Sequence, residues 1–101
     1  MQFSINKEAS NLTFKITGKF TFADHERFKE MLKLLQKESY TGVTINMEDV
    51  DFIDSSAMGM LLIAREEAQK RDVKIVLLRP RESIQKMFKV AKFDTLFSIH
   101  S

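Results

Sequence analysis

The residues best equipped for chemistry in this 101-residue chain lie in one run, Glu48-Asp49-Val50-Asp51-Phe52-Ile53-Asp54-Ser55-Ser56-Ala57-Met58-Gly59. Four carboxylates fall within seven residues, with no basic residue among them, and two adjacent hydroxyls follow. Asp54 stands where an N-cap belongs, its carboxylate able to accept the free N–H groups of a first helical turn. Ser55 and Ser56 then occupy the first helical positions, near the surface. Ala57 and Gly59 keep that turn slim enough for another backbone to approach closely. A serine here can act as a covalent switch. A phosphate adds roughly −1.5 to −2 charges, and the helix dipole and free N–H groups accommodate it. The fold should therefore survive modification. The neighbouring Asp51 and Asp54 would be repelled, as would any acidic or tightly packed partner surface. The bland alternative is an ordinary helix cap. Ser55 and Ser56 are not separated by this argument, since both lie beside the same helix end.

Other chemistries find less support. Asp51 and Asp54 as an acid–base or metal pair lack a histidine, a third ligand and a pocket. Cysteine is absent, which excludes disulfides, thiolate metal sites and a cysteine nucleophile. The two histidines, His25 and His100, are too far apart in sequence for a histidine-rich metal site. His25 falls in the first turn of a helix with no nucleophile spaced to it and reads as a surface residue. His100 reads as a frayed end. No glycine-rich phosphate loop is present. No catalytic residue, cofactor or metal is assigned.

The elements that must position Asp54 and the serines follow from spacing. Phe3-Ser4-Ile5 and Leu12–Ile16 alternate as strands, forming a hairpin with a polar turn at Lys7–Asn11 and closed by Gly18. Thr21 is placed as an N-cap with Asp24 three residues on, a weaker partner than the Glu or Gln of a full capping box. Phe28, Met31, Leu32 and Leu35 mark an amphipathic helix. Val43–Met47 is a third strand, Glu48–Asp54 an acidic connection, and Ser55–Arg71 a second helix, broadly apolar in its first half. Val73–Leu78 reads as a buried strand. Pro80 breaks the chain before a helix marked by Ile84, Met87, Phe88 and Ala91, and Phe97–Ile99 is a last short strand. The order ββαβαβαβ predicts one α/β domain over 1–101, with a mixed, mostly parallel sheet packed against helices.

Net charge is +2, too mild to indicate nucleic acid. Residues 1–64 carry net −2 and residues 65–101 net +4. The basic excess reads as solvated helix surface. The longest stretch free of polar and charged side chains, Ala57–Ala64, cannot span a bilayer. The start of the chain lacks a basic region followed by an apolar one, so no secretory signal is expected and a cytoplasmic setting is. Most of the six methionines read as core filler, with Met58 the partly exposed exception; Phe20, Phe22 and Phe52 flank the serines, and one or two of them are expected to form an exposed patch.

In this order of elements, Val50-Asp51-Phe52-Ile53-Asp54-Ser55-Ser56-Ala57-Met58-Gly59 resembles the signature of STAS domains, the anti-sigma factor antagonists. There an apolar strand and turn lead into Asp-Ser-Ser/Thr-Gly-Leu-Gly and a helix. The resemblance covers nearly the whole chain. Gly18-Lys19-Phe20-Thr21 is similar to the family's Gly-x-hydrophobic-Asp region, and Pro80 with the following helix falls where the family places a similar element. The resemblance implies a STAS-like fold and a non-enzymatic partner switch. The unphosphorylated family member binds an anti-sigma factor, itself a serine kinase with a GHKL-type ATP site, and so releases a sigma factor. The kinase phosphorylates the serine after the Asp and the complex dissociates; a PP2C-type phosphatase reverses the modification. By position the acceptor is Ser55, with Ser56 the alternative. Asp54 caps and docks, Ser56, Met58 and Gly59 shape the surface, and Asp51, Thr21 and Asp24 extend it. Two departures stand out. The family's Gly-Leu-Gly is Ala57-Met58-Gly59, which adds a methyl beside the acceptor and bears on which kinase docks. The Asp expected near Thr21–Ala23 has no clean match. Such variants resemble stand-alone STAS proteins of biofilm and response-regulator pathways. The alternative implied is the same serine switch acting on a non-sigma target, in biofilm, cyclase or stressosome-like signalling.

Overall fold

Alternating apolar and polar residues at 12–16 and 43–47 form two neighbouring strands in the computed structural model, which describes residues 1–37 and 39–101. Five strands, β1 (Gln2–Glu8), β2 (Asn11–Phe20), β3 (Gly42–Ile53), β4 (Lys74–Leu78) and β5 (Ser98–His100), make one sheet in the order of the chain. Only β1 and β2 are antiparallel. The β2–β3, β3–β4 and β4–β5 pairs are parallel, so each needs a crossover helix. These are α1 (His25–Lys37), α2 (Ser55–Lys70) and α3 (Glu82–Val90). Three crossovers of one hand that step the same way across the sheet place all three helices on one face. The burial pattern agrees. Leu12, Phe14 and Ile16 of β2, Val43, Ile45 and Met47 of β3 and Leu77 of β4 join Phe28, Met31, Leu61, Ala64 and Phe88 in one core. Their alternates Thr13, Lys15, Thr44 and Asn46 lie half-buried on the opposite, uncovered face. The α/β fold of order ββαβαβαβ is as the spacing predicts.

Several boundaries differ from the sequence reading, each for a local reason. The hairpin turns at Ala9-Ser10, with Ala9 in the left-handed region (φ 53°), and both strands reach into the expected polar turn. Gly18 does not close that hairpin. It lies inside β2 at φ +85°, between two register shifts against β3, a conformation that side chains disfavour. Glu48–Ile53 is not a connection but the second half of β3, paired with Thr17–Phe20 of β2. β4 ends opposite Asn46, so this extension has a neighbour on one side only and its acidic side chains stay solvated. His100 is not frayed: its carbonyl accepts the Arg79 N–H at 2.6 Å within the β5 edge. α2 ends at Lys70 with Arg71 as its C-cap.

Polar contacts tie the elements together. The Gln36 amide donates to Glu67 at 3.1 Å across α1 and α2, and Arg71 donates to the same oxygen at 3.3 Å. Among the described residues no buried side-chain nitrogen or oxygen is left without a partner. No helix among them is long and apolar enough to cross a membrane.

Candidate functional site

β3 delivers Asp54 to the carboxyl edge of the sheet, directly before α2. Asp54 is extended (φ −110°, ψ 179°), as an N-cap requires. Its two oxygens do different work. Oδ1 accepts the Ala57 N–H at 2.8 Å and so caps α2. Oδ2 accepts the Phe22 N–H at 3.1 Å, from the segment that follows β2. The Asp54 N–H in turn donates to the Phe20 carbonyl at 3.4 Å. One carboxylate thereby fixes the start of α2 against the end of β2, a link across 32 residues that no local spacing announces.

The turn on the other side of that link is equally determined. Thr21 caps a single 3-10 turn, Phe22–Asp24, that leads into α1. Its hydroxyl accepts the Ala23 N–H at 3.3 Å, and Asp24 Oδ2 accepts the Thr21 N–H at 2.8 Å. The capping box closes with Asp because a 3-10 turn is tighter than an α turn, so the shorter side chain reaches back. Asp24 is only 8% exposed, and its Oδ1 meets the ammonium of Met1 at 2.6 Å. Burial pushes the Asp24 carboxyl up, but hydrogen bonds from the Met1 ammonium and the Thr21 N–H, with the positive charges of that ammonium and Arg27, hold it below its ordinary value. Thr21 and Asp24 therefore brace the site from beneath, and Thr21 is half-buried.

What projects from this frame is the opposite set. Ser55 is exposed at the first position of α2, while Ser56 is half-buried. Met58 and Gly59 are half-buried on the outer side of the first turns, and a Cβ on Gly59 would meet nothing within 4 Å. Ala57 faces the core and is fully covered, so Gly59 alone keeps the outer surface slim. Asp51 is exposed on the β3 extension. Of the three phenylalanines read as flanking the serines, Phe20 is core, whereas Phe22 is 70% and Phe52 50% exposed. Phe52 is one residue before Ile53, which is in register with Phe20, so Phe52 at the end of β3 and Phe22 in the turn after β2 both lie close to Asp54 in the chain path.

The acidic run is less isolated than its sequence suggests. Lys15 of β2 pairs with Asp49 at 3.1 Å. Arg79, after β4, pairs with Glu48 at 3.5 Å, and Arg81 Nε donates to the Glu48 carbonyl at 3.2 Å. These exposed pairs contribute little energy but leave Asp51 as the carboxylate on the run's free surface. Met87, read from its spacing as core, is 37% exposed on α3 and shares a shallow apolar groove with Met58 and Val90. A sequence signal for apolar surface here is the unbroken apolar run Ala57–Ala64, in which Leu62 and Ile63 fall outside the buried stripe.

The chain resembles known proteins over nearly its full length. It is 28% identical over 92 residues to a STAS-domain containing protein of Pseudomonas aeruginosa (strain UCBPP-PA14), a match spanning 91% of this chain and 90% of the relative. Its fold superposes on the anti-sigma factor antagonist SpoIIAA in its unphosphorylated form with a TM-score of 0.84 at 18% identity, covering 99% of this chain and 89% of that one. For the phosphorylated form of SpoIIAA, a Bacillus cell fate determinant, the TM-score is 0.76 at 18% identity, covering 99% and 92%. Thermotoga maritima TM1081 gives 0.91 at 15% identity, covering 98% and 86%. At such identities the likeness to the solved structures is one of fold. The family model of the STAS domain matches residues 2–101, and the chain belongs to the STAS domain family.

Proposed function

We propose that this STAS domain is a phosphorylation-controlled partner switch and not an enzyme. In this reading the unphosphorylated chain binds an anti-sigma factor that is a GHKL-type serine kinase, so that a sigma factor is released in the cytoplasm. The kinase transfers the γ-phosphoryl group of ATP to the Ser55 Oγ, which gives up its proton as ADP leaves. The complex then separates, and a PP2C-type phosphatase hydrolyses the phosphoserine. One observation carries the reading. Ser55 is exposed beside an Asp54 whose two oxygens are already committed to backbone N–H groups. The acceptor is thus accessible while its neighbour holds the fold, so a phosphate alters binding and leaves the domain folded. The half-buried Ser56 is the less exposed of the two serines. Asp51, Ser56, Met58 and Gly59 form the contact surface around Ser55, with Thr21, Asp24 and Asp54 holding its backbone in place.

A second reading keeps the switch and changes the target to biofilm, cyclase or stressosome-like signalling. It is what the sequence resemblance implies through Ala57, which stands where the family has glycine but is fully covered and does not itself meet a partner. Mass spectrometry of the peptide from Glu48 to Arg65, on protein from its own cells, tests the switch. Phosphate on Ser55 is expected, with the associated kinase retained by Ser55→Ala and lost by Ser55→Asp. An unmodified peptide in growing and stressed cells, or equal kinase binding by both variants, overturns it.

A further inference from the structure

β4 begins before its neighbour does. Its pairing with β5 runs only from Val76–Ser98 to Leu78–His100, so Lys74 and Ile75 have β3 on one side and no strand on the other. Backbone N–H groups alternate between those two sides. The Lys74 N–H donates to the Thr41 carbonyl at 3.3 Å, on the β3 side, and the Arg79 N–H donates to the His100 carbonyl at 2.6 Å, on the β5 side. Ile75 shares the side of Arg79, so its N–H points past the start of β5. Among the described residues it meets no acceptor there. Ile75 is only 8% exposed, and an N–H in such a place ordinarily has a partner.

This N–H opens onto a cleft of about 460 Å³ between the second half of α2, the start of β4 and the segment 94–98. The cleft lies at the amino edge of the sheet, at the opposite end from Asp54. One wall carries a cation. Arg65 Nε donates to the Leu96 carbonyl at 2.8 Å and Nη1 to Gln69 Oε1 at 3.5 Å, which fixes the guanidinium and leaves its remaining N–H groups for an anion. The other wall carries the exposed Asp94, which forms no ion pair among the described residues. The floor is apolar and covered: Ala68, Val73, Ile75 and Phe97 are all buried. Lys74 adds no second cation inside, since by alternation it belongs to the uncovered face of the sheet.

We propose that this cleft binds a free α-amino acid with an apolar side chain. The carboxylate takes the Ile75 N–H and the Arg65 guanidinium, the ammonium takes Asp94, and the side chain lies on Val73, Ile75 and Phe97. Each group rejects something. A hydrocarbon leaves the Ile75 N–H unpaired. A phosphate sets extra negative charge beside Asp94 with one cation to offset it. The size suits a small molecule and leaves room for a side chain as large as leucine or phenylalanine. The inference is independent of the partner-switch reading, because the cleft and Ser55 lie at opposite edges of the sheet.

The test titrates the isotopically labelled chain with L-leucine, L-phenylalanine, L-leucinamide and 4-methylpentanoate in the millimolar range, read by amide chemical shifts. One or both amino acids should shift the Ile75 and Phe97 amides saturably. Leucinamide, without the carboxylate, and 4-methylpentanoate, without the ammonium, should bind at least about fivefold more weakly than L-leucine. Asp94→Asn, at an exposed site, should weaken L-leucine about tenfold and bring it level with 4-methylpentanoate. Arg65→Gln, with its amide spectrum confirming an intact fold, should abolish the saturable shifts. No saturable shift from either amino acid, which leaves the cleft to water alone, overturns the inference. So do equal affinities for L-leucine and its two analogues, shifts confined to other surfaces, or L-leucine binding that Asp94→Asn leaves unchanged.

Discussion

Replacing Asp54 by alanine should cost more than an ordinary lost helix cap, because its two oxygens serve two separate elements. Losing the 2.8 Å bond to Ala57 N–H removes the α2 cap, about 1 kcal/mol. Losing the 3.1 Å bond to Phe22 N–H frees a second donor from a charged acceptor, about 1.5 kcal/mol at the low end for such bonds because Phe22 is exposed. The sum, about 2.5 kcal/mol, corresponds to a fall in Tm of roughly 10–20 °C for a domain of this size. A stability of at least about 5 kcal/mol leaves the variant folded and measurable. Asp54→Asn retains one acceptor oxygen and should lose about half as much. Urea denaturation followed by circular dichroism reads both variants against the parent. A loss below about 0.5 kcal/mol for Asp54→Ala, the range of ordinary surface substitutions, would refute the double-tie reasoning.

Three further outcomes are expected. Ser55→Ala and Ser55→Asp should each unfold within about 0.5 kcal/mol of the parent in the same urea assay, since Ser55 is exposed and the helix N-terminus tolerates negative charge. Asp24, held below its ordinary 3.8, contributes stability above that unfolded value and loses it as pH falls through its lower folded value. The gap in urea midpoint between parent and Asp24→Asn should therefore be widest near neutral pH and shrink steadily below about pH 4, and a gap that does not change with pH contradicts this. Phe88→Ala removes a fully covered ring stacked on Phe93 at 5.2 Å between centroids, so thermal unfolding should show a loss of about 3–5 kcal/mol.

Much was legible in the chain because its signals are local. Alternation at 12–16 and 43–47 and the i, i+3, i+4, i+7 spacing of Phe28–Leu35 specify which face of each element must be buried, while of the Ile84–Ala91 stripe only Ile84 and Phe88 are covered and Met87 and Ala91 are exposed. Asp54 before two serines is capping chemistry written within four residues, and the structure uses it so. The β3 extension was hidden because Glu48–Asp51 breaks the period of two. Alternation reports one buried face, and here the strand passes the end of β4 beside two register shifts in β2.

The sequence by itself determined the order of elements, the apolar stripe of each and the cap at Asp54, since these depend on residues a few positions apart. Tertiary structure alone decided the second bond from Asp54 to Phe22, the pairing of Lys15 and Arg79 with the acidic run, and the meeting of Met58 with Met87 and Val90. Each of these joins segments about thirty residues apart. Such contacts exist only after parallel strands have been paired and their crossover helices laid on one face, a choice made by burial of the whole core and not by any local stretch of chain.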